Sequence, residues 1–104
     1  MSTPVPKEKT KSVVEFSPMW QVVLLDDNDH TYDYVIEMLM AIFGHPAELA
    51  YKMAVEVDAM KRVVVHVDGR DESELKAKQI NSYGADWRLK RSKGSMTGLI
   101  EPVE

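Results

Sequence analysis

Five consecutive polar residues, Asp26, Asp27, Asn28, Asp29 and His30, lie between a short apolar run and an amphipathic segment. Carboxylates, an amide and an imidazole in one turn concentrate hydrogen-bond acceptors where a strand would hand over to a helix. A ligand for that spot should be cationic or rich in donors. The plainest reading is a solvated turn, because Asp and Asn cap helices and tolerate tight backbone. A calcium loop would use Asp26, Asn28 and Glu37 at its first, third and twelfth positions. It then meets His30 at the fifth and Thr31 at the sixth, where the sharp turn needs glycine, and a strand precedes it instead of a helix. Metal binding is therefore not expected. His30 could pair with an aspartate, but no serine or threonine nucleophile is placed beside it, so a hydrolytic triad has no support. Neighbouring carboxylates could also do acid–base work, yet no cofactor motif accompanies them.

The elements that must position this cluster are legible from period and punctuation. Trp20 to Leu25 is rich in strand formers and ends at the cluster. From Thr31, a reasonable N-cap, Val35, Ile36, Leu39, Ile42 and Phe43 recur at helical spacing, with Asp33 near the positive end of the dipole and Gly44 as a stop. Pro46 suits a first helical position, and Leu49, Ala50, Met53, Ala54 and Val57 line one face of a second helix. The link through Gly44 and His45 is short enough to make a helical hairpin, with His45 as a polar cap of its turn. Two helices of about twelve residues, about 18 Å each, return the end of the second to the start of the first. Asp58, and with it Glu56, thereby becomes a candidate for the same patch.

Arg62 to Val67 reads as a second strand closed by Asp68-Gly69. Glu72 to Tyr83 reads as a third helix with Leu75, Ile80 and Tyr83 inward and Gly84 as its stop. Trp87 to Gly94 is a basic loop, best read as a solvated connection, and Met96 to Glu101 is a weaker third strand before Pro102. The order β-α-α-β-α-β predicts an α+β fold with helices on one face of a three-stranded antiparallel sheet. Met38, Met40, Met53 and Met60 read as core or rim filler.

Composition narrows the function. A chain of 104 residues is expected to hold one domain, here 18–104, preceded by a flexible tail, 1–17, with Pro4, Pro6 and mixed charges. Seventeen acidic against thirteen basic residues argue against nucleic acid as the main partner. The absence of cysteine excludes disulfide scaffolds, thiolate metal sites and cysteine nucleophiles. No apolar run is long enough to span a membrane and no signal peptide is evident, so a cytoplasmic protein without membrane partner is expected.

The stretch VVLLDDNDHTYDYVIEMLMAIFGHPAELAYKMAVEVD, followed by RVVV and ESELKAKQI, resembles the ClpS family, adaptors of the Clp ATP-dependent protease. The likeness runs from about Trp20 to Glu101. It implies a fold like the C-terminal domain of the ribosomal stalk protein and a monomeric, non-catalytic adaptor with no cofactor. It further implies that the chain binds substrate N-terminal residues, or N-degrons, and delivers them to a Clp ATPase of the ClpA or ClpC type, the N-terminal tail engaging that ATPase. By position, the substrate N-terminus would meet Asp26, Asp27, Asn28 and Asp58, and the pocket would be lined by His30, Tyr32, Val35, Ala54, Val57 and Met96. Five positions depart from the family pattern. Its turn reads Asn-Asp-Asp where this chain has Asp26-Asp27-Asn28, a histidine is common at Asp58, and methionines are frequent at Tyr32 and Ala54. These departures leave open an alternative, an ATPase-docking regulatory module with lost or altered N-terminal recognition. A small metal-dependent hydrolase built on the Asp cluster and His30 is a third.

Overall fold

The computed structural model describes residues 18–104, so the tail expected at 1–17 lies outside the described residues. Six elements follow in the expected order: β1 (Trp20–Leu25), α1 (Tyr32–Phe43), α2 (Ala47–Met60), β2 (Arg62–Asp68), α3 (Arg70–Asn81) and β3 (Thr97–Pro102). β1 is the central strand of an antiparallel sheet of order β2-β1-β3, with Leu25 opposite both Arg62 and Thr97. Alternation along β1 and β2 turns Val22, Leu24, Val63 and Val65 inward. They pack there with Tyr34, Val35, Met38 and Leu39 of α1, Ala50, Ala54 and Val57 of α2, and Ala77 and Ile80 of α3. Each large side chain so buried contributes about 1.5–3 kcal/mol by leaving water.

Local chemistry fixes the helix ends. Thr31 has extended backbone and its hydroxyl accepts from the Tyr34 N–H, as an N-cap should. Gly44 closes α1 at φ 71°, its N–H returning to the Met40 carbonyl. Lys76 of α3 donates to the Ile42 carbonyl at 2.9 Å, supplying the cation that the last turn of α1 lacks.

Several expectations shift. Pro46 is the N-cap of α2 and not its first helical residue, and α2 continues past Val57, so Asp58 lies inside its last turn. Leu49 is exposed. α3 begins at Arg70 and ends at Asn81; Ile80 is buried as expected, but Ser73 and Ala77 share its inner face, Leu75 is exposed and Tyr83 lies beyond the helix. β3 starts one residue later than Met96, which is buried in the core before it. His45 does not cap the hairpin turn. The register of β1 on β2 passes from His66 to Val64, leaving Val65 without a partner on β1. His45 Nε2 donates to that Val65 carbonyl at 2.7 Å, so the histidine satisfies a bulge. Of the methionines, Met38 is buried and Met53 packs against the core, whereas Met40 and Met60 are exposed.

Gly98 on β3 is required by close packing. A Cβ there would sit 2.9 Å from Ile80 Cδ1, and Asn81 pairs with both the Gly98 N–H and carbonyl at 2.8 and 2.9 Å. The pair ties the end of α3 to the outer edge of β3. Gly98→Ala is expected to cost about 1–3 kcal/mol by overpacking, read as a lowered denaturant midpoint with unchanged slope.

Candidate functional site

The acidic turn, the start of α1 and the end of α2 surround a cavity of about 350 Å³. Its apolar floor is made by Val35, Ala54, Val57 and Met96, each at most 4 % exposed. Asp26, Asp27, Asn28, His30, Tyr32 and Asp58 complete the lining, so the site residues expected from sequence meet at one cavity. Glu56 is exposed and does not reach it. Thr31 and Arg91 line it as well, and neither was expected there.

Each polar group has a defined commitment. Asp27 Oδ1 accepts the Asp29 N–H at 2.9 Å and faces His30 Nδ1 at 2.6 Å, while His30 Nε2 lies 2.7 Å from the Gly94 carbonyl. The ring thus links the acidic turn to the loop before β3, and both of its nitrogens face oxygen acceptors. Asp26 receives Lys61 Nζ at 3.5 Å, and its N–H donates to the Lys61 carbonyl at 3.0 Å. Tyr32 Oη donates to Asp58 Oδ2 at 2.7 Å across the mouth. That hydrogen bond to the Asp58 carboxylate holds the Tyr32 phenol above its ordinary pKa.

Two features at the end of α2 contradict local preference. Asp58 puts a negative charge in the last turn, where the helix dipole favours cations. Lys61 closes the helix at φ 74°, a left-handed conformation that suits glycine. Lys61 compensates in part, donating from Nζ to the Asp58 carbonyl at 3.2 Å.

The basic loop is not the solvated connection expected of it. Arg91 donates through Nε and Nη2 to the Asn28 carbonyl at 2.9 and 2.5 Å, with Nε 3.3 Å from Asp29 Oδ1. Arg88 reaches Glu37 at 2.5 Å and Asp86 at 3.1 Å. Asp86, 1 % exposed, is the residue that anchors the loop. Its Oδ2 accepts the Thr31 N–H at 2.7 Å and hydroxyl at 2.8 Å, its Oδ1 accepts from the Arg88 N–H and guanidinium, and its own N–H donates to Ser92 Oγ. Burial pushes this carboxyl up, but the donors of Thr31 and Arg88 outweigh it and hold the pKa at about 2. Nothing in the local pattern marks Asp86, because Thr31, the partner that ties it to the start of α1, is 55 residues away. Arg91 was equally hidden within a run of basic residues.

Among the described residues, no group of three or more His, Asp or Glu side chains converges to hold a metal ion. What the site offers is an apolar floor beneath a carboxylate rim.

The model of the ATP-dependent Clp protease adaptor protein ClpS matches residues 15–88. The chain belongs to the ClpS family. Its role is thus that of a Clp protease adaptor, in a family whose members bind Clp ATPases and substrate N-termini. The matched stretch contains the acidic turn, both hairpin helices and Asp86, and stops short of Arg91 and Met96. Among solved structures the chain is similar to Agrobacterium tumefaciens ClpS2 bound to L-phenylalaninamide, with 24 % identity over 83 % of this chain and 98 % of that one and a TM-score of 0.72. At that identity the likeness concerns the fold, and it agrees with the three-stranded antiparallel sheet and three helices described above. No helix among the described residues is long and apolar enough to cross a membrane.

Asp86→Asn is expected to destabilise the domain by about 3 kcal/mol at neutral pH, the cost of breaking a buried charge cluster. The Asp86 carboxyl lies below its ordinary 3.8 in the fold, at about 2. Its contribution is therefore present above pH 3.8 and lost as pH falls toward 2. Acid unfolding followed by circular dichroism should be shallower over that window in Asp86→Asn than in the native chain.

Proposed function

We propose that this ClpS-family chain is a non-catalytic adaptor that captures the free, protonated N-terminus of a substrate and presents it to a Clp ATPase in the cytoplasm. The observation that carries the reading is the convergence of Asp26, Asp27 and Asp58 over a floor of Val35, Ala54, Val57 and Met96. An N-terminal residue has matching chemistry: an ammonium for the rim and a side chain for the floor. The α-amino group has a pKa of about 7.7–8.0 and is mostly cationic at neutral pH. Charge-assisted hydrogen bonds to carboxylates are about twice as strong as neutral ones. Asn28, exposed and beside the mouth, offers an amide donor and acceptor to the first peptide unit.

ClpS2 of A. tumefaciens was solved with L-phenylalaninamide, a molecule with a free α-amine and an aromatic side chain. That pairing supports an aromatic or large aliphatic first residue here. Ala54 deepens the floor where a larger side chain is common in the family, and Tyr32 narrows the mouth. A cavity of about 350 Å³ is at the small end for ligand sites, suiting one side chain more than an extended segment.

Peptides identical except for N-terminal acetylation should separate by at least about ten-fold in Kd, the free amine binding more tightly, since acetylation removes the cation and leaves desolvated carboxylates. Affinity for the free peptide should fall as pH rises through about 8 and the amine loses its proton. Equal binding of both peptides, together with retention of a Clp ATPase in pull-down, would select the docking module without N-terminal recognition.

A further inference from the structure

The hydroxyl of Tyr32 engages one carboxylate oxygen of Asp58 at the cavity rim. Its Oη donates to Asp58 Oδ2 at 2.7 Å, joining the first residue of α1 to the last turn of α2 across the cavity mouth. Both side chains line the cavity and both are exposed, so the bond is not a by-product of core packing. The ring meets Tyr51 of α2 edge-on, with centroids 6.2 Å apart. Asp26 and Asp27 have partners of other kinds, the Lys61 ammonium for Asp26 and the His30 ring for Asp27.

We propose that Tyr32 is an internal competitor for the amine: a latch that keeps Asp58 hydrogen-bonded while the site is empty and must be displaced by a cationic N-terminus. This inference rests on the amine-capture reading and adds a residue that sets its selectivity. A neutral terminus offers Asp58 no more than the phenol already gives, and so has no means to open the latch. A protonated amine replaces a neutral donor with a charged one and gains on exchange. The latch thus lowers affinity for every ligand that takes Asp58 and discriminates against those that bring no charge.

Tyr32→Phe keeps the ring and its contact with Tyr51 while removing the competing donor. Titrations of free-amine and acetylated peptides into the native chain, Tyr32→Phe, Asp58→Asn and the double variant separate the possibilities. The free-amine peptide should bind Tyr32→Phe about five-fold more tightly than the native chain, the equivalent of one hydrogen bond no longer broken. The acetylated peptide should be unaffected by that substitution. In the Asp58→Asn background, Tyr32→Phe should change free-amine binding by less than about two-fold, because the charged pair is gone. Tyr32→Phe that weakens or leaves unchanged the binding of the free amine overturns the latch. So does a gain of equal size in the Asp58→Asn background, which would make the hydroxyl a steric obstacle only. If the native chain binds both peptides equally, the amine-capture reading itself fails, an outcome distinct from either of these.

Discussion

One buried carboxylate organises the cavity face. Asp86 receives the N–H and hydroxyl of Thr31 and the N–H and guanidinium of Arg88, and it leaves no buried polar atom of its side chain unsatisfied. Thr31 is also the N-cap of α1, so a single hydroxyl accepts from the helix and donates to the carboxylate. The negative charge lies where the dipole of α1 is positive. Because Thr31 directly follows the acidic turn and Arg88 opens the loop that carries Arg91, this cluster sets the distance between both walls of the cavity. An unpaired charge at that depth would be costly, so the cluster is either complete or destabilising. The loop is therefore held by chemistry, not by sequence proximity.

The hairpin of α1 and α2 does the corresponding work on the other side. It brings Asp58 within 2.7 Å of Tyr32, although the two are 26 residues apart. The end of α2 accepts two local conflicts to do so, a carboxylate in the last turn and a non-glycine residue at positive φ. Either is tolerable alone, but together they favour a placement set by the site and not by helix stability. Lys61 links the two conflicts, since its ammonium lies near both the Asp58 carbonyl and the Asp26 carboxylate.

What the sequence disclosed follows from the range of each interaction. β1, α1 and the hairpin were legible because strand formers, the Thr31 cap and Gly44 act within a few residues of where they stand. Asp58 could be added by counting turns, since two helices of similar length joined by a short link bring their ends together. α3 was set out of register because Leu75 and Tyr83 look like core residues, whereas small Ser73 and Ala77 are what fit beneath the sheet. Asp86, Arg91 and the bond from His45 to Val65 were hidden for a different reason. Each depends on a contact at a separation of 20 residues or more, and a lone polar residue carries no sign of its distant partner.

The charge pattern of the site bears on how the proposed capture of an ammonium would avoid being indiscriminate. Asp27 is occupied by His30 and the Asp29 N–H, Asp26 is near Lys61, and Asp58 holds the Tyr32 hydroxyl. Arg91 adds a further cation at the rim. A simple ion would have to compete with these internal partners and would leave the apolar floor wet. On the proposed reading, an N-terminal residue would cover Val35, Ala54, Val57 and Met96 with its own side chain while its ammonium replaced a weaker donor above them. Burial at about 25 cal/mol per Å² is then added to the charge term, and only a ligand that carries both features collects both contributions. Under the proposed function, selectivity would come from having the carboxylates already partnered, since the partners would set a threshold that a cation alone does not pass.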